Sequence, residues 1–222
     1  MISPLLSNLV LDELDRELEC RGHRFVRYAD DCNIYVRSEK AGRRVMASLT
    51  RFVEGRLKLQ INTEKSTVAR PWHRSFLGFT VKDDPGFRRC IADKAVTWFK
   101  DRVCELTRRH RGVSLEKMIA DLNPFVRGWA GYFGFSQSRK FSSLDGSIRR
   151  RLRCVVWVQW KTRGQRYREL HRLKVPERSV SAAIFSPKGP WRLSFSEALH
   201  CAFTKARYRR LGLLSMEKLA ST

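Results

Sequence analysis

Phe25-Val26-Arg27-Tyr28-Ala29-Asp30-Asp31 is the stretch on which the reading of this chain turns. Two short extended runs, residues 25–29 and 33–36, flank the adjacent aspartates, which is the spacing of a β-hairpin with carboxylates at its turn. Such a turn can bring two carboxylates to one hard cation. Two-metal phosphoryl transfer uses ions about 3.5–4 Å apart, and oxygen ligands suit Mg²⁺. A bare Asp-Asp pair is far more often an ordinary acidic surface turn, since aspartates satisfy turn backbone by themselves. The neighbours decide between the two.

Outward from the hairpin, helices are expected on both sides. Upstream, Ser3 reads as an N-cap with Pro4 at the first helical position, Leu11, Leu14 and Leu18 form one face, and Gly22-His23 end the helix. Downstream, a second helix starts from Ser38 with Ala41, Val45, Leu49 and Phe52 on one side. Residues 57–61, 66–69, 76–81 and 87–91 read as short strands or extended segments, with Phe76 and Leu77 in the core. Asp84-Pro85-Gly86 marks a turn between the last two. From about Asp93 the pattern is helical: Ala95, Phe99, Val103 and Leu106 share a face, as do Leu115, Met118, Ile119 and Leu122. Asn123-Pro124 predicts a restart, with Pro124 as the first residue of a new helix. A further helix is expected over 144–161, a weaker pattern after it, and a last short helix over roughly 196–207. The boundary between the mixed and the helical part falls near residue 92.

Composition narrows the function. The 222 residues carry 45 Lys+Arg against 22 Asp+Glu, a net charge of +23, with 42% hydrophobic and 11% aromatic residues. That is enough apolar material for a core, so wholesale disorder is excluded. The charge is uneven: residues 1–101 hold 19 basic and 14 acidic side chains (+5), residues 102–222 hold 26 and 8 (+18). A polyanion is the implied partner, and arginine, which dominates, suits bidentate contact with phosphate. Nucleic acid fits better than a lipid surface, because the six Trp are interleaved with Arg rather than gathered on one amphipathic face. No apolar run is long enough to span a membrane. The six cysteines form no C-x-x-C pair, which argues against zinc modules, and with no secretory signal they imply reduced thiols in the cytoplasm.

The neighbours of the aspartates resemble a known family, the group II intron-encoded reverse transcriptases, or maturases. Tyr28-Ala29-Asp30-Asp31, preceded by Phe-Val-Arg, is similar to their palm-domain Y-A-D-D box. Residues 1–8 resemble the segment after the family's Pro-Gln-Gly motif. Leu57-Lys58-Leu59-Gln60-Ile61-Asn62-Thr63-Glu64-Lys65-Ser66 resembles the next block, and Phe76-Leu77-Gly78-Phe79 the primer-grip block. Leu122-Asn123-Pro124-Phe125-Val126-Arg127-Gly128-Trp129-Ala130-Gly131-Tyr132-Phe133 is similar to the maturase-specific thumb. Lys188-Gly189-Pro190-Trp191-Arg192-Leu193-Ser194 and Leu211-Gly212-Leu213-Leu214-Ser215 resemble the tail of the same proteins. The matches run in family order over nearly the whole chain.

The resemblance implies an α+β fold: a partial palm (an antiparallel hairpin with packed helices) over residues 1–92, then an α-helical thumb or maturase domain over 93–165 and a basic tail over 166–222. It implies a nucleotidyltransferase of a mobile element that binds intron RNA for splicing and copies RNA into DNA with Mg²⁺. Asp30 and Asp31 are then catalytic metal ligands, Tyr28 and Lys65 contact the nucleotide, and Phe76, Leu77 and Gly78 support the primer. Arg127, Arg149, Arg150, Arg151, Arg153, Lys161, Arg163 and Arg166 are the expected nucleic-acid contacts; Trp129 and Phe133 read as packing residues. Partners would be intron RNA, template–primer and target DNA. The family's metal site has three carboxylates, and its fingers and first aspartate motif precede the region matched here. The expected consequence is either a separate polypeptide that supplies the fingers, or a non-catalytic RNA-binding splicing cofactor or truncated remnant.

Overall fold

The computed structural model describes residues 3–109, 111–136 and 140–220. Expectations resting on Met1, Ile2 and the capping side chains of Ser3 and Pro4 lie outside what it describes. The chain divides into two compact units, residues 1–80 and 81–222.

The first unit packs two helices on a hairpin. Helix α1 (Ser3–Cys20) ends where Gly22 takes a φ of +67°, its N–H donating to Glu19 O while His23 N–H reaches Leu18 O. This left-handed cap closes the last carbonyls and turns the chain back. Strands β1 (Arg24–Tyr28) and β2 (Asp31–Tyr35) pair antiparallel, with Phe25 opposite Ile34 and Tyr28 opposite Asp31. Helix α2 (Glu39–Gly55) is capped by Ser38, whose hydroxyl accepts from Ala41 N–H. Leu14 and Leu18 of α1 meet Leu49 and Val53 of α2, and Phe25 and Ile34 close the core from the hairpin.

The hairpin register departs from expectation by one position. Asp31 begins β2, so the turn is Ala29-Asp30. The apolar pattern sets this register: a slip of one residue would carry Phe25 and Ile34 from the core to solvent. Residues 57–61 and 66–69 lie outside the paired strands; Leu57 is in a bend and Lys58 takes a φ of +58°. Residues 76–81 are not one buried strand. Phe76 and Phe79 exchange both backbone hydrogen bonds across Leu77-Gly78, which have φ of +51° and +78°. Positive φ at both central residues is the type I′ hairpin turn, and it lifts Leu77 out of the core to its tip. Strand β3 (Phe79–Val81) follows and pairs with β4 (Arg89–Ile91) around the Asp84-Pro85-Gly86 turn.

The second unit is helical. Helices α3 (Asp93–Leu106) and α4 (Leu115–Phe133) pack Phe99 against Trp129, ring centroids 4.6 Å apart, and Trp129 stacks on toward Phe133. Helix α4 runs unbroken through Pro124, contrary to the expected restart. The seven residues it buries, from Met118 to Phe133, lie on one face across the proline, whose ring is on the exposed side. Their burial offsets a cost of roughly 3 kcal/mol for an interior proline. Asn123 adds a tie, donating to Gly212 O and accepting from Leu214 N–H. Helix α5 (Lys140–Gln159) is the centre of the unit, buried on most of its circumference.

After Lys161 the chain is folded rather than weakly structured: α6 (Arg163–Arg172), α7 (Glu177–Ile184), α8 (Pro190–Leu193), α9 (Glu197–Ala202), α10 (Lys205–Arg210) and α11 (Met216–Leu219). The helix expected over 196–207 is two helices, because Thr204 caps α10 by accepting from Arg207 N–H and so ends α9. Among the described residues no helix is long and apolar enough to cross a membrane.

Candidate nucleic-acid and metal site

Asp30 and Asp31 stand at the exposed end of the β1–β2 hairpin, Asp30 in the turn and Asp31 on the outer face beside Tyr28. Neither carboxylate has a hydrogen bond or an ion pair among the described residues. This contrasts with the acids of α1, where Asp12, Glu13, Asp15 and Glu17 all face arginines. Among the described residues no group of three or more His, Cys, Asp or Glu gathers to hold a metal. What the turn offers is two neighbouring carboxylates with open oxygens. That donor set fits Mg²⁺, which takes one or two carboxylates and completes its shell with water and substrate phosphate.

The turn is held from behind. Arg27 Nε donates to both carboxylate oxygens of Asp15, at 2.8 and 3.0 Å, its Nη1 reaches Asn8 Oδ1 at 3.0 Å, and the same Nη1 donates to Ala29 O at 2.9 Å. One guanidinium therefore ties α1 to the carbonyl of the turn residue, which itself adopts a φ of +53°. A left-handed alanine costs on the order of 1–2 kcal/mol, so the tie matters. The hydrogen bond that Arg27 donates to Asp15 is the main reason the Arg27 pKa is raised. Across the hairpin from Arg27, burial pushes the Cys32 thiol up to about 11.

Asp15 and Asn8 carry no signal that separates them from the other polar residues of α1, and sequence reasoning missed both. Lys65 is exposed in a turn built on Asn62, whose side chain accepts from Lys65 N–H; Arg74 donates to Lys65 O and links that loop to the segment entering the Phe76–Phe79 turn. Gly78 occupies the turn and Phe76 is half-buried.

In the second unit the expected arginines separate by role. Arg127 is exposed on α4, while Trp129 and Phe133 are buried. Arg149 is half-buried; its carbonyl accepts from Tyr208 Oη, and its side chain has no hydrogen bond or ion pair among the described residues. Arg150 lies between two rings, its Cζ 3.8 Å from the Trp191 centroid and 3.9 Å from that of Phe195. Arg151 donates to Thr107 Oγ1 and Cys104 O. Arg153 is turned inward, only 5% exposed, and donates to Ser194 O at 2.8 Å; burial lowers its pKa. Arg166 stacks on Trp157 and donates to Trp160 O, whereas Lys161 and Arg163 are open to solvent. Burial is thus mixed along one helix: a basic run on α5 must face several ways at 100° per residue.

A buried acid was also missed. Asp145 is 3% exposed and accepts from Ser215 Oγ, Met216 N–H and Glu217 N–H, capping α11. Nothing in the local sequence pairs it with a helix some seventy residues on.

Residues 1–81 match the reverse transcriptase (RNA-dependent DNA polymerase) family, and residues 96–174 match the group II intron, maturase-specific domain. No curated protein matches the chain.

Proposed function

Because the chain belongs to the group II intron reverse transcriptase/maturase family, we propose that it binds intron RNA through its helical unit and presents Asp30 and Asp31 as ligands for Mg²⁺. The observation that carries the RNA reading is charge. Residues 102–222 have only 8 acids for 26 bases, and several of those acids are already engaged: Glu105 with Arg102, Asp121 with Arg111 and Lys117, Glu169 with Arg172, Asp145 in the cap of α11. Lys140 pairs with Asp93, whereas cations such as Arg149, Lys161 and Arg163 make no side-chain ion pair among the described residues and release counterions on meeting phosphate.

In this reading residues 1–92 are palm, 93–165 thumb or maturase domain, and 166–222 basic tail. Arg127, Arg149, Lys161 and Arg163 take phosphates, with the free N–H edges of Arg151 and Arg166. Arg150 and Arg153 shape the surface from within. Bound at Asp30 and Asp31, Mg²⁺ would supply charge stabilisation for phosphoryl transfer. Arg27 and Asp15 hold the turn in place; Tyr28, beside Asp31 on the outer face, and Lys65 contact the nucleotide, and the Phe76–Gly78 turn supports the primer. The free cysteines accord with a cytoplasmic setting. Template–primer and target DNA are further polyanionic partners for the same surface.

A second reading is a non-catalytic splicing cofactor. It is favoured by the turn itself, which brings together two carboxylates where the family's site uses three. A third carboxylate, with fingers from another polypeptide, would restore the polymerase. The exposed Leu5, Leu6, Leu9 and Val10 on α1 offer such a segment an apolar surface. Primer extension with Mg²⁺ separates the readings. Synthesis by the chain alone that is abolished by Asp30→Ala excludes the cofactor reading; RNA binding without synthesis, unchanged in Asp30→Ala, supports it.

A further inference from the structure

A surface of which the family resemblance assigns only Arg151 lies where the α3–α4 connection meets α5. Arg108, Arg109, Arg111 and Arg151 line an open depression of about 580 Å³. The four described residues that line it are all arginines. Four like charges at one concavity repel one another, so the arrangement is stable only if the chain fixes them or a counter-charge occupies it.

The chain fixes two of them. Arg111 Nη1 donates to Leu106 O and Nη2 to Asp121 Oδ2, both at 2.6 Å. Arg151 Nε donates to the fully buried Thr107 at 3.1 Å, and its Nη2 reaches Cys104 O. Each guanidinium has five N–H groups and keeps some free. Among the described residues Arg108 and Arg109 make no side-chain hydrogen bond or ion pair, and Asp121, the partner of Arg111, is shared with Lys117. The depression is therefore pre-set to accept more than one anionic oxygen group.

Arg109 also lines a second depression of about 500 Å³, formed with residues 187–192. Lys188 and Arg192 add exposed charge there, and Trp191 is 42% exposed. Arg150 packs on the Trp191 ring at 3.8 Å and anchors it, and the exposed part of the ring is available to a planar group. Anchored aromatics beside a cationic track are how single-stranded nucleic acid is held, phosphates on the cations and a base on the ring. Duplex RNA shows phosphates but keeps its base faces stacked inside.

We infer that Arg108, Arg109, Arg111 and Arg151, continued by Lys188, Trp191 and Arg192, form a cradle for a single-stranded or looped segment of RNA, with backbone phosphates in the arginine depression and a base against Trp191. The inference rests on the RNA-binding reading and gives it a location.

The test compares Arg108→Gln/Arg109→Gln with Lys205→Gln/Arg210→Gln, which removes equal charge from exposed positions on α10. Binding of a labelled single-stranded RNA and of a matched hairpin stem is measured across salt concentration, with thermal melts as fold controls. The cradle variant should melt like the parent, bind single strand more weakly, and lose roughly 0.7 of the log–log salt slope per phosphate contact removed. The α10 variant should stay near the parent. Trp191→Ala should reduce the preference for single strand over stem, and Trp191→Phe should restore it. Equal losses in both charge variants, or an unchanged slope in the cradle variant while the parent binds RNA, overturn the cradle and leave RNA binding intact. A parent that binds no RNA overturns both. If the cradle variant loses binding to phosphatidylserine vesicles but not to RNA, the anionic partner is a membrane surface and the inference is wrong.

Discussion

At the scale of single residues, the hairpin that carries Asp30 and Asp31 depends on Arg27. Its side chain is 14% exposed and that of Asp15 is 24% exposed, so the pair is better shielded than the surface ion pairs elsewhere on α1. Asp15→Ala strands the guanidinium and should lower stability by about 1–3 kcal/mol, measured by urea unfolding. Loss of the tie should also loosen the turn, read as faster amide exchange at Ala29 and Asp30. An Asp15→Ala protein with parental stability and exchange would show that the contact is incidental. Cys32 gives a second residue-scale prediction. Because burial pushes its thiol up to about 11, it stays protonated at neutral pH and should react with iodoacetamide far more slowly than exposed Cys20. The sign for stability follows: the contribution is full below the unfolded value near 9.0 and declines as pH rises toward 11. Rapid alkylation of Cys32 in the native protein would contradict the burial. The adjacent aspartates were plain in the sequence because adjacency is local. The Arg27–Asp15 contact was not, because five acids crowd residues 12–19 and no spacing singles one out.

At the scale of elements, the sequence was most legible where apolar periodicity met a capping residue. Helix α2 is such a case: Ser38 caps it and Leu49 and Phe52 lie on its inner side, as expected. Its Gly42 could not be read from pattern. A Cβ there would stand 2.6 Å from Val68 Cγ1, so the extended segment carrying Val68 lies against bare backbone. Gly42→Ala should destabilise by roughly 1–3 kcal/mol despite alanine's better helix propensity, because overpacking outweighs propensity at a closed contact. A stabilised Gly42→Ala protein would mean that Val68 gives way freely. Helix α4 is the opposite case. Proline was read as a helix start, whereas the continuous buried face from Met118 to Phe133 overrides it. Pro124→Ala should therefore raise the melting temperature, since the buried face is kept and a backbone donor is regained. Apart from the single helix expected over 196–207, the short helices after Lys161 escaped detection for a different reason. Each is 4–10 residues long, too short for periodicity to emerge, and each is fixed by packing of residues such as Leu170, Val180, Leu199 and Tyr208.

At the scale of the whole chain, the excess of basic residues has a structural division of labour. Arg150, Arg153 and Arg166 build the helical unit by stacking and by hydrogen bonds to carbonyls, and the cations without such ties remain for a polyanion. Composition reported the total but not this division, which depends on which way each side chain points around α5. Three carboxylates of this unit are bound by arginine or lysine, Asp84 by Arg88, Asp93 by Lys140, and Asp121 by Lys117 and Arg111, each held below the usual carboxylate range by those hydrogen bonds. Their folded pKa values lie below the unfolded value of about 3.9, so their contribution is present above that pH and lost as pH falls through the folded values. The melting temperature should be level from neutral pH to about 5 and fall below about 4. A melting temperature that rises in acid would contradict these pairs.

The most direct test of the central claim is equilibrium binding of the intact chain to a transcribed group II intron RNA, titrated from about 50 to 200 mM salt. Tight binding at low salt is expected, with a linear fall of log K with log salt reflecting several phosphate contacts, and tighter binding to intron RNA than to an unrelated structured RNA of equal length. Absence of binding at the lowest salt, or an affinity that salt leaves unchanged, would contradict it.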